Sequence, residues 1–330
     1  MKPYIYITRK LPEEAIAPLR QNYEVKMWEH DDVPVPMDIL LAEVKQADAL
    51  LTMVSDTIDE KVLNEGNKLK IVANCAVGYD NIDLTAAAKN GVAICNTPDV
   101  LTDTTADLTF ALLMSVSRRV VEAAEFIKKG QWKSWSPFLL AGQDIHHKTL
   151  GIVGMGKIGE AVAKRASGFE MNLLYHNRTR KPEIEQKLGT VYCAFEDLIK
   201  KADFVVCLAP LTDETQNMFT REVFQKMKHS AIFVNSSRGP VVDEQALYEA
   251  LVTGEIAGAG LDVFEKEPID NGHPLLGLSN VVALPHIGSA SVETRTAMIN
   301  LCIANIEAVL EGKLPLTIVN KNWKTCTNSK

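Results

Sequence analysis

The sequence lacks the features that mark membrane proteins, secreted proteins and nucleic-acid-binding proteins. Its 330 residues contain no apolar run near the roughly 20 residues that a membrane-spanning helix needs. The first apolar stretch, Tyr4–Ile7, is short and is followed by charge, which favours a strand over a signal peptide. The formal net charge is −7. Because an acidic surface repels phosphate backbones and anionic lipids, we expect neither nucleic acid nor membrane as a partner.

Cysteine is scarce as well, and no two cysteines have the close C-x-x-C spacing of a metal or redox motif. Most of them lie in apolar contexts that resemble strands or helices, which is typical of reduced thiols in a protein core. We therefore expect a cytoplasmic protein whose thiols hold no metal. The cysteines are Cys75, Cys95, Cys193, Cys207, Cys302 and Cys326.

What the sequence does have is a regular alternation of short apolar runs with amphipathic stretches. This alternation predicts a parallel sheet that is covered by helices on both faces. In the first part of the chain we predict strands over residues 4–7, 49–53, 70–74 and 92–95, and helices over 13–21, 37–46, 83–90 and 104–129. An irregular segment over residues 131–147 follows the last of these helices.

A second series of the same kind fills the rest of the chain. Its strands are predicted over residues 149–153, 172–176, 204–208, 231–235, 256–261 and 281–284, and its last helix over 292–310. Two doubly wound α/β domains fit the whole pattern. Residues 322–330 show no periodicity, and we expect a loose tail there.

A glycine-rich loop joins the first strand of the second series to a helix predicted over residues 158–169. The motif G-x-G-x-x-G is formed by Gly154, Gly156 and Gly159. In dinucleotide-binding folds the three glycines allow a tight turn, a close approach of the pyrophosphate, and close packing of the helix on the strand. The helix N-terminus adds N–H groups and a positive dipole end. We therefore predict that this loop, with Met155, Lys157 and Ile158, binds the pyrophosphate of a nicotinamide dinucleotide.

The end of the following strand bears on the choice of cofactor. An NAD site carries an acidic residue about 20 positions beyond the motif, where it binds the ribose hydroxyls. This strand ends instead in Asn177, Arg178, Thr179 and Arg180, which include no carboxylate. The two arginines could clamp a 2′-phosphate through charge-assisted hydrogen bonds, although they could also be merely solvated loop charges. We predict NADP(H) as the preferred cofactor, and NAD(H) as one that the site could also accept.

Three later strand ends each carry one reactive side chain, namely Arg238, Glu267 and His286. Taken singly, each has an ordinary structural explanation. Together they occupy the carboxyl ends of strands, where doubly wound sheets bind ligands. A guanidinium can hold a substrate carboxylate and polarise its ketone, a histidine can protonate the new alkoxide, and a carboxylate can orient the imidazolium. The three side chains predict the reduction of a 2-oxo acid by hydride transfer.

These residues lie in motifs that the chain shares with a known family. The sequence resembles the D-isomer-specific 2-hydroxyacid dehydrogenases, and within them the bacterial glyoxylate/hydroxypyruvate reductases that also reduce 2-ketogluconate. The resemblance covers nearly the whole length of the chain. The motifs that carry it are VGYDNID at residues 77–83, HKTLGIVGMG at 147–156, RGPVVD at 238–243, GLDVF at 260–264 and PHIGS at 285–289.

The resemblance implies a Rossmann cofactor domain over residues 100–288, inserted into a flavodoxin-like substrate domain over 1–99 and 289–330. It implies that Arg238, Glu267 and His286 are catalytic. It also implies that the N–H groups of Val77 and Gly78 bind the substrate together with the arginine and the histidine. The nicotinamide half of the cofactor would be lined by Thr104, Pro210, Ser236, Ser237, Asp262 and Gly288.

Members of this family are usually dimers joined through the cofactor domain, so the resemblance implies a homodimer. The segment with Trp132 and Trp135 could then reach a neighbouring active site, or it could be an ordinary aromatic staple. Many relatives have Asp where Asn177 stands, which argues against NAD as the preferred cofactor.

Three alternatives stay open. The first is an NAD-dependent D-2-hydroxyacid or phosphoglycerate-type dehydrogenase. The second is a formate dehydrogenase of the same fold; its reaction needs no proton donor, so a neutral glutamine would suit the histidine's partner better than Glu267. The third is a dinucleotide-sensing binding protein, like the corepressors that share the fold.

Overall fold

The structure, a computed structural model, describes residues 2–324 of the chain. These residues form two compact units. The first unit takes in both ends of the described chain, up to Leu101 and from Ser291 onward, and the second runs from Thr102 to Ala290. Residues 325–330 of the predicted tail, with Cys326, lie outside the described residues.

Strands and helices alternate through both units. The strands are β1 (Tyr4–Ile7), β2 (Glu24–Met27), β3 (Ala49–Thr52), β4 (Ile71–Asn74), β5 (Ala93–Cys95), β6 (Thr149–Val153), β7 (Asn172–His176), β8 (Val191–Tyr192), β9 (Phe204–Cys207), β10 (Ile232–Asn235), β11 (Gly258–Leu261) and β12 (Val281–Ala283). The helices are α1 (Glu13–Asn22), α2 (Met37–Val44), α3 (Glu60–Glu65), α4 (Leu84–Lys89), α5 (Thr102–Ser117), α6 (Val120–Lys128), α7 (Lys157–Ser167), α8 (Pro182–Leu188), α9 (Phe195–Lys201), α10 (Arg221–Lys226), α11 (Glu244–Thr253) and α12 (Val292–Leu310).

The sheet of the first unit has the strand order β2-β1-β3-β4-β5, and every neighbouring pair is parallel. The apolar residues of β3 and β4 are fully buried, as expected for central strands covered on both faces. Strand β2 was not predicted, because this edge strand has the sequence EVKM and is partly exposed, so it forms no apolar run. Helix α3 was also missed, since it has only 6 residues.

The second unit holds a seven-stranded parallel sheet with the order β12-β11-β10-β9-β6-β7-β8. The chain enters at β6, continues to one side through β7 and β8, and then crosses to β9 on the other side. The carboxyl ends of β6 and β9 therefore form the switch point at which open α/β sheets bind ligands. The predicted fold class, two doubly wound parallel-sheet domains, is confirmed.

One predicted helix is wrong. The sequence indicated a single helix over residues 104–129, but the structure has α5 and α6 with a break between them at Arg119, whose φ is 51°. The break lies where a distant segment returns, because the N–H of Gln143 donates to the carbonyl of Ser117 at 2.8 Å. Gly142 packs so closely there that an added Cβ would lie 2.1 Å from the same carbonyl oxygen. Helical periodicity does not record such a long-range contact.

Apolar side chains pack against the second sheet and support the loops at the ends of its strands. Phe233 on β10 is fully buried and packs against Phe219 and Phe224, with ring centroids 4.7 and 5.5 Å away. Each buried side chain of this size stabilises the fold by roughly 1.5–3 kcal/mol. None of the helices within residues 2–324 combines the length and the apolar composition that crossing a membrane requires.

Candidate active site and cofactor loop

The glycine loop between β6 and α7 has no room for a side chain at two of its three motif positions. Gly154 has a φ of +100°, and an added Cβ would lie 2.5 Å from the backbone nitrogen of Ala209. A Cβ on Gly159 would lie 2.6 Å from the carbonyl oxygen of Gly154. Gly156 differs, because a Cβ added there would meet no atom of the described residues within 4 Å. The space above Gly156, at the start of α7, is open to a ligand that approaches the backbone.

Asn177, directly after β7, is tied to this loop. Its Oδ1 accepts a hydrogen bond from the N–H of Met155 at 2.6 Å, and its Nδ2 donates to the carbonyl of Met155 at 3.2 Å. The side chain predicted to replace the usual acidic residue therefore also helps to shape the glycine loop.

The two predicted phosphate-binding arginines have different surroundings. Arg180 donates two hydrogen bonds of 2.7 Å to the carboxylate of Glu185, and these bonds lower the pKa of Glu185 to about 2. Arg178 is exposed, and its charge contributes, after the hydrogen bond from Thr212, to lowering the pKa of Glu214. Thr179 between them is also exposed. Arg180 is thus held by a carboxylate, which makes Arg178 the stronger candidate for contact with a 2′-phosphate.

The turn that carries Arg238 is held by Asn235, the last residue of β10. Asn235 is 1% exposed, and its Oδ1 accepts hydrogen bonds from the N–H and the hydroxyl of Ser237 at 3.0 and 2.8 Å. Its Nδ2 donates to the carbonyl of Arg238 at 2.9 Å. Asn235 was not among the residues predicted from the sequence; the signal available there was a polar amide at the end of an otherwise apolar strand.

His286 and Glu267 form a hydrogen-bonded pair. The Nδ1 of His286 lies 2.7 Å from Oε2 of Glu267, and the side chains are 30% and 36% exposed. Oε1 of Glu267 accepts the N–H of Phe264 at 3.0 Å. Because the carboxylate accepts, we assign the proton of this bond to Nδ1, which leaves Nε2 for a substrate. Arg238 is coupled electrostatically to this pair, since its charge contributes to lowering the pKa of Glu267.

The charges of this cluster reinforce one another. Burial raises the pKa of Glu267, but the hydrogen bond and the charge of His286, the N–H of Phe264 and the charge of Arg238 outweigh burial. The pKa of Glu267 therefore lies below its ordinary value, so the carboxylate is ionised at neutral pH. An ionised carboxylate that accepts the hydrogen bond from Nδ1 fixes the orientation and the tautomer of the imidazole ring.

Asp262, which follows β11, holds the loop that carries the histidine. It is 2% exposed, and its two carboxylate oxygens accept the N–H groups of Ile287 and Gly288, both at 2.8 Å. His286 itself has a φ of 54°, in the left-handed region. Burial raises the pKa of Asp262 more than these two hydrogen bonds lower it. The predicted nicotinamide-lining residue thus also fixes the backbone directly after His286.

Of the other residues predicted to line the nicotinamide, Ser236 and Pro210 follow β10 and β9 at the same edge of the sheet, and Thr104 lies in the first turn of α5. Ser236 has a buried hydroxyl that makes no hydrogen bond within residues 2–324, and an unmade bond of this kind costs about 1–3 kcal/mol. Thr104 is half-buried, and Pro210 is exposed with its carbonyl accepting the hydroxyl of Thr215 at 2.6 Å. The open space at Gly156 and the unsatisfied hydroxyl of Ser236 both fit a bound dinucleotide.

Val77 and Gly78 lie in the first unit, in the loop between β4 and α4. The carbonyl of Gly78 accepts the Nδ2 group of Asn74 at 3.0 Å, and the carbonyl of Val77 accepts the Nδ2 group of Asn96 at 2.8 Å. Within residues 2–324, neither N–H group of the pair donates a hydrogen bond. The loop therefore presents backbone donors, as the predicted carboxylate site requires.

Comparison with known proteins decides the family. Residues 110–288 match the family model described as D-isomer specific 2-hydroxyacid dehydrogenase, NAD binding domain. The glyoxylate reductase of Thermococcus litoralis is 49% identical, and the match covers 98% of this chain and 99% of that protein. The chain belongs to the D-isomer-specific 2-hydroxyacid dehydrogenases. The resemblance predicted from the sequence motifs is confirmed.

Solved structures with a similar fold agree. A protein from Thermus thermophilus has a TM-score of 0.90 and 46% identity, with 96% of this chain and 99% of that chain covered. An NADPH-dependent glyoxylate/hydroxypyruvate reductase from Sinorhizobium meliloti, solved in complex with NADP and malonate, has a TM-score of 0.84 and 32% identity, with 98% of each chain covered. As a member of this family, the chain is an oxidoreductase that uses a nicotinamide dinucleotide and acts on 2-oxo or 2-hydroxy acids.

Proposed function

We propose that this dehydrogenase is an NADPH-dependent reductase of small 2-oxo acids, chiefly glyoxylate and hydroxypyruvate, with 2-ketogluconate as a further substrate. The observation that carries the proposal is the pair of His286 and Glu267, 2.7 Å apart, with the charge of Arg238 beside it. Carbonyl reduction needs a proton donor that is held in place, here by a carboxylate. It also needs a cation that binds the substrate, and the guanidinium can supply it.

In the proposed reaction each side chain has a separate task. A nicotinamide cofactor, when bound, would supply the hydride that reduces the carbonyl carbon. Nε2 of His286 donates a proton to the carbonyl oxygen. Glu267 holds Nδ1–H and stabilises the imidazolium until the proton has moved. Arg238 polarises the carbonyl and binds the carboxylate of the substrate. The N–H groups of Val77 and Gly78 supply a carboxylate-binding loop in the first unit. The product is the D-2-hydroxy acid, as in the family to which the chain belongs.

The preference for NADPH is supported by the end of β7. Asn177 has no negative charge to repel a 2′-phosphate, and Arg178 is exposed beside it. The Sinorhizobium meliloti relative, which is named as NADPH-dependent, was solved with NADP. We further propose that the second unit binds the cofactor and that the first unit binds the substrate, since the family model of the NAD-binding domain lies within the second unit.

A homodimer joined through the second unit is the proposed assembly. Large apolar side chains are exposed along α6 and the segment after it, among them Ile127 at 60%, Trp135 at 77% and Phe138 at 86%. Exposed apolar surface of this kind marks protein interfaces. Sedimentation equilibrium measures the mass in solution, and a monomer at micromolar concentration would contradict this assembly. A cytoplasmic location is likewise proposed, from the composition and the thiols described above.

The reaction is tested by mixing the purified protein with NADPH and glyoxylate and following absorbance at 340 nm. We expect the absorbance to fall, and to fall more slowly with NADH. Parallel assays with hydroxypyruvate, pyruvate and 2-ketogluconate rank the substrates. If no 2-oxo acid consumes either cofactor, the reductase assignment is wrong and a dinucleotide-sensing role is favoured. Reduction of NAD by 3-phosphoglycerate or formate would favour the other two alternatives.

A further inference from the structure

The loop of the first unit that presents Val77 and Gly78 has three consecutive carbonyls anchored to the neighbouring segment 96–97 and to β4. The carbonyl of Ala76 accepts the backbone N–H of Thr97 at 2.8 Å. The carbonyls of Val77 and Gly78 accept the side-chain amides of Asn96 and Asn74, as described above. Three neighbouring peptide groups are therefore fixed in orientation, two of them by asparagine side chains.

Anchoring a carbonyl also fixes the direction of an N–H group. In a trans peptide the C=O and the N–H of the following residue point in opposite directions. The bond from Thr97 therefore sets the direction of the Val77 N–H, and the bond from Asn96 sets that of the Gly78 N–H. In the same way, Asn74 sets the direction of the N–H of Tyr79. Successive N–H groups turned away from the protein form an anion-binding concavity.

Both asparagines are themselves held in place. Asn74 is fully buried at the end of β4, and its Oδ1 accepts the hydroxyl of Thr52 at 3.1 Å. The backbone carbonyl of Asn96 accepts the hydroxyl of Thr317 at 2.6 Å, and Thr317 is held by Asn305 of α12 at 2.9 Å. These hydrogen bonds restrain the side chain of Asn74 and the backbone of Asn96.

We propose that Asn96 and Asn74 are positioning residues for the carboxylate of the substrate, with the N–H of Tyr79 as a third donor beside those of Val77 and Gly78. This inference rests on the proposed function, because it assumes that the loop binds a 2-oxo acid. Neither asparagine touches the substrate in this proposal. Each holds a peptide group in the orientation that binds the anion. Because the loop is already ordered, binding does not lose the free energy that ordering it would require.

Asn96→Ala is the main test, since Asn96 is only half-buried and its side chain makes one hydrogen bond to the loop. We expect KM for glyoxylate to rise roughly three- to tenfold, the amount that loss of one hydrogen bond gives. The inhibition constant of oxamate, a carboxylate that cannot be reduced, should rise in parallel. The kcat at saturating glyoxylate and the Kd of NADPH should stay near the wild-type values.

Asn90→Ala is the matched control. Asn90 also lies in the first unit and its amide also donates to a backbone carbonyl, that of Ala86, but it does not contact the loop. Its KM and oxamate inhibition should equal those of the wild type. If Asn96→Ala fails to fold, Thr317→Val carries the test, because it removes the hydroxyl that holds Asn96 and leaves the amide in place. We expect the same changes from it, in the same direction but smaller.

The outcomes separate this inference from the proposed function. If the wild type reduces glyoxylate and Asn96→Ala matches Asn90→Ala in KM and oxamate inhibition, the positioning role is wrong and the reductase stands. A fall in kcat with unchanged KM and unchanged oxamate inhibition also contradicts the positioning role. If the wild type reduces no 2-oxo acid and does not bind oxamate, the proposed function fails and this inference fails with it.

Discussion

The loop after β6 and the turns after β10 and β11 lie at the same edge of one sheet, but they are shaped by different means. Glycines shape the first, through a φ of +100° at Gly154 and a contact that excludes any side chain at Gly159. Buried polar side chains hold the second, through Asn235 and Asp262. A loop that binds a phosphate through its backbone N–H groups must leave room for the phosphate, so it has no side chains there. A loop that positions a reactive side chain needs a backbone that is itself held by hydrogen bonds.

The largest effect that would test this comparison is expected from the loss of His286, the proposed proton donor. His286→Ala should reduce turnover at least about 10²-fold, the lower end of what general acid catalysis contributes. The Kd of NADPH should change little, because the glycine loop that we predict to bind the pyrophosphate is distant in sequence from His286. Stopped-flow turnover and fluorescence titration measure the two quantities. Unchanged turnover would remove His286 from the mechanism.

Two glycine substitutions sharpen the contrast inside the cofactor loop. The added methyl group of Gly156→Ala contacts no other atom of the described residues, so we expect an unchanged Tm. The same methyl group fills the space proposed for the pyrophosphate. It should therefore weaken NADPH binding by roughly tenfold or more, about 1.4 kcal/mol. Gly154→Ala forces a Cβ against Ala209 at a positive φ and should cost about 1–3 kcal/mol of stability or more. Equal NADPH affinity in Gly156→Ala and wild type would place the pyrophosphate elsewhere.

The arginines after β7 offer a matched pair. Arg178→Ala should weaken NADPH by roughly tenfold or more and NADH far less, since charge-assisted hydrogen bonds contribute about 1.5–3 kcal/mol. Arg180→Ala is the control, because that guanidinium is already bound to Glu185. The ratio of the KM values for NADPH and NADH is the measurement. Equal loss for both cofactors in Arg178→Ala contradicts the 2′-phosphate role, and a larger loss in Arg180→Ala transfers that role to Arg180.

The smallest expected effect comes from the hydrogen bond between the side chain of Asn235 and the carbonyl of Arg238. Asn235→Ala removes the bond to the Arg238 carbonyl, and we expect kcat/KM for glyoxylate to fall roughly three- to tenfold as the turn loosens. Asn280→Ala removes a comparable amide-to-carbonyl bond, to Ala257, away from the catalytic turns. If both variants lose the same fraction of activity, the loss reflects general stability and Asn235 does not position the arginine.

Much of the fold was predictable because buried parallel strands are apolar on both faces. The runs at β1, β6 and β7 were predicted with the bounds that the structure gives them. Strand β2 and helix α3 carry no comparable signal, since one is an exposed edge and the other is very short. The break before α6 depends on the return of residue 143, which no local pattern contains.

The candidate site divides in the same way. Glycine motifs and the reactive side chains Arg238, Glu267 and His286 are visible in sequence because their chemistry is unusual at strand ends. Asn235 and Asn96 were not predicted, since an asparagine at the end of a strand is common and its partners are backbone carbonyls. The ion pair of Arg180 with Glu185 was equally hidden, because two charges five positions apart do not show which partner each will choose.

Gly239 joins the turn that carries Arg238 to the segment that precedes Glu267. An added Cβ there would lie 1.8 Å from the backbone carbon of Phe264, so the segment after Arg238 and the segment before Glu267 run in direct contact. A substitution that moves the backbone of one of these segments should therefore move the other as well. Attempts to broaden the substrate range of this enzyme should therefore leave residues 235–239 and 262–267 untouched and introduce diversity in loops that share no backbone contact with them.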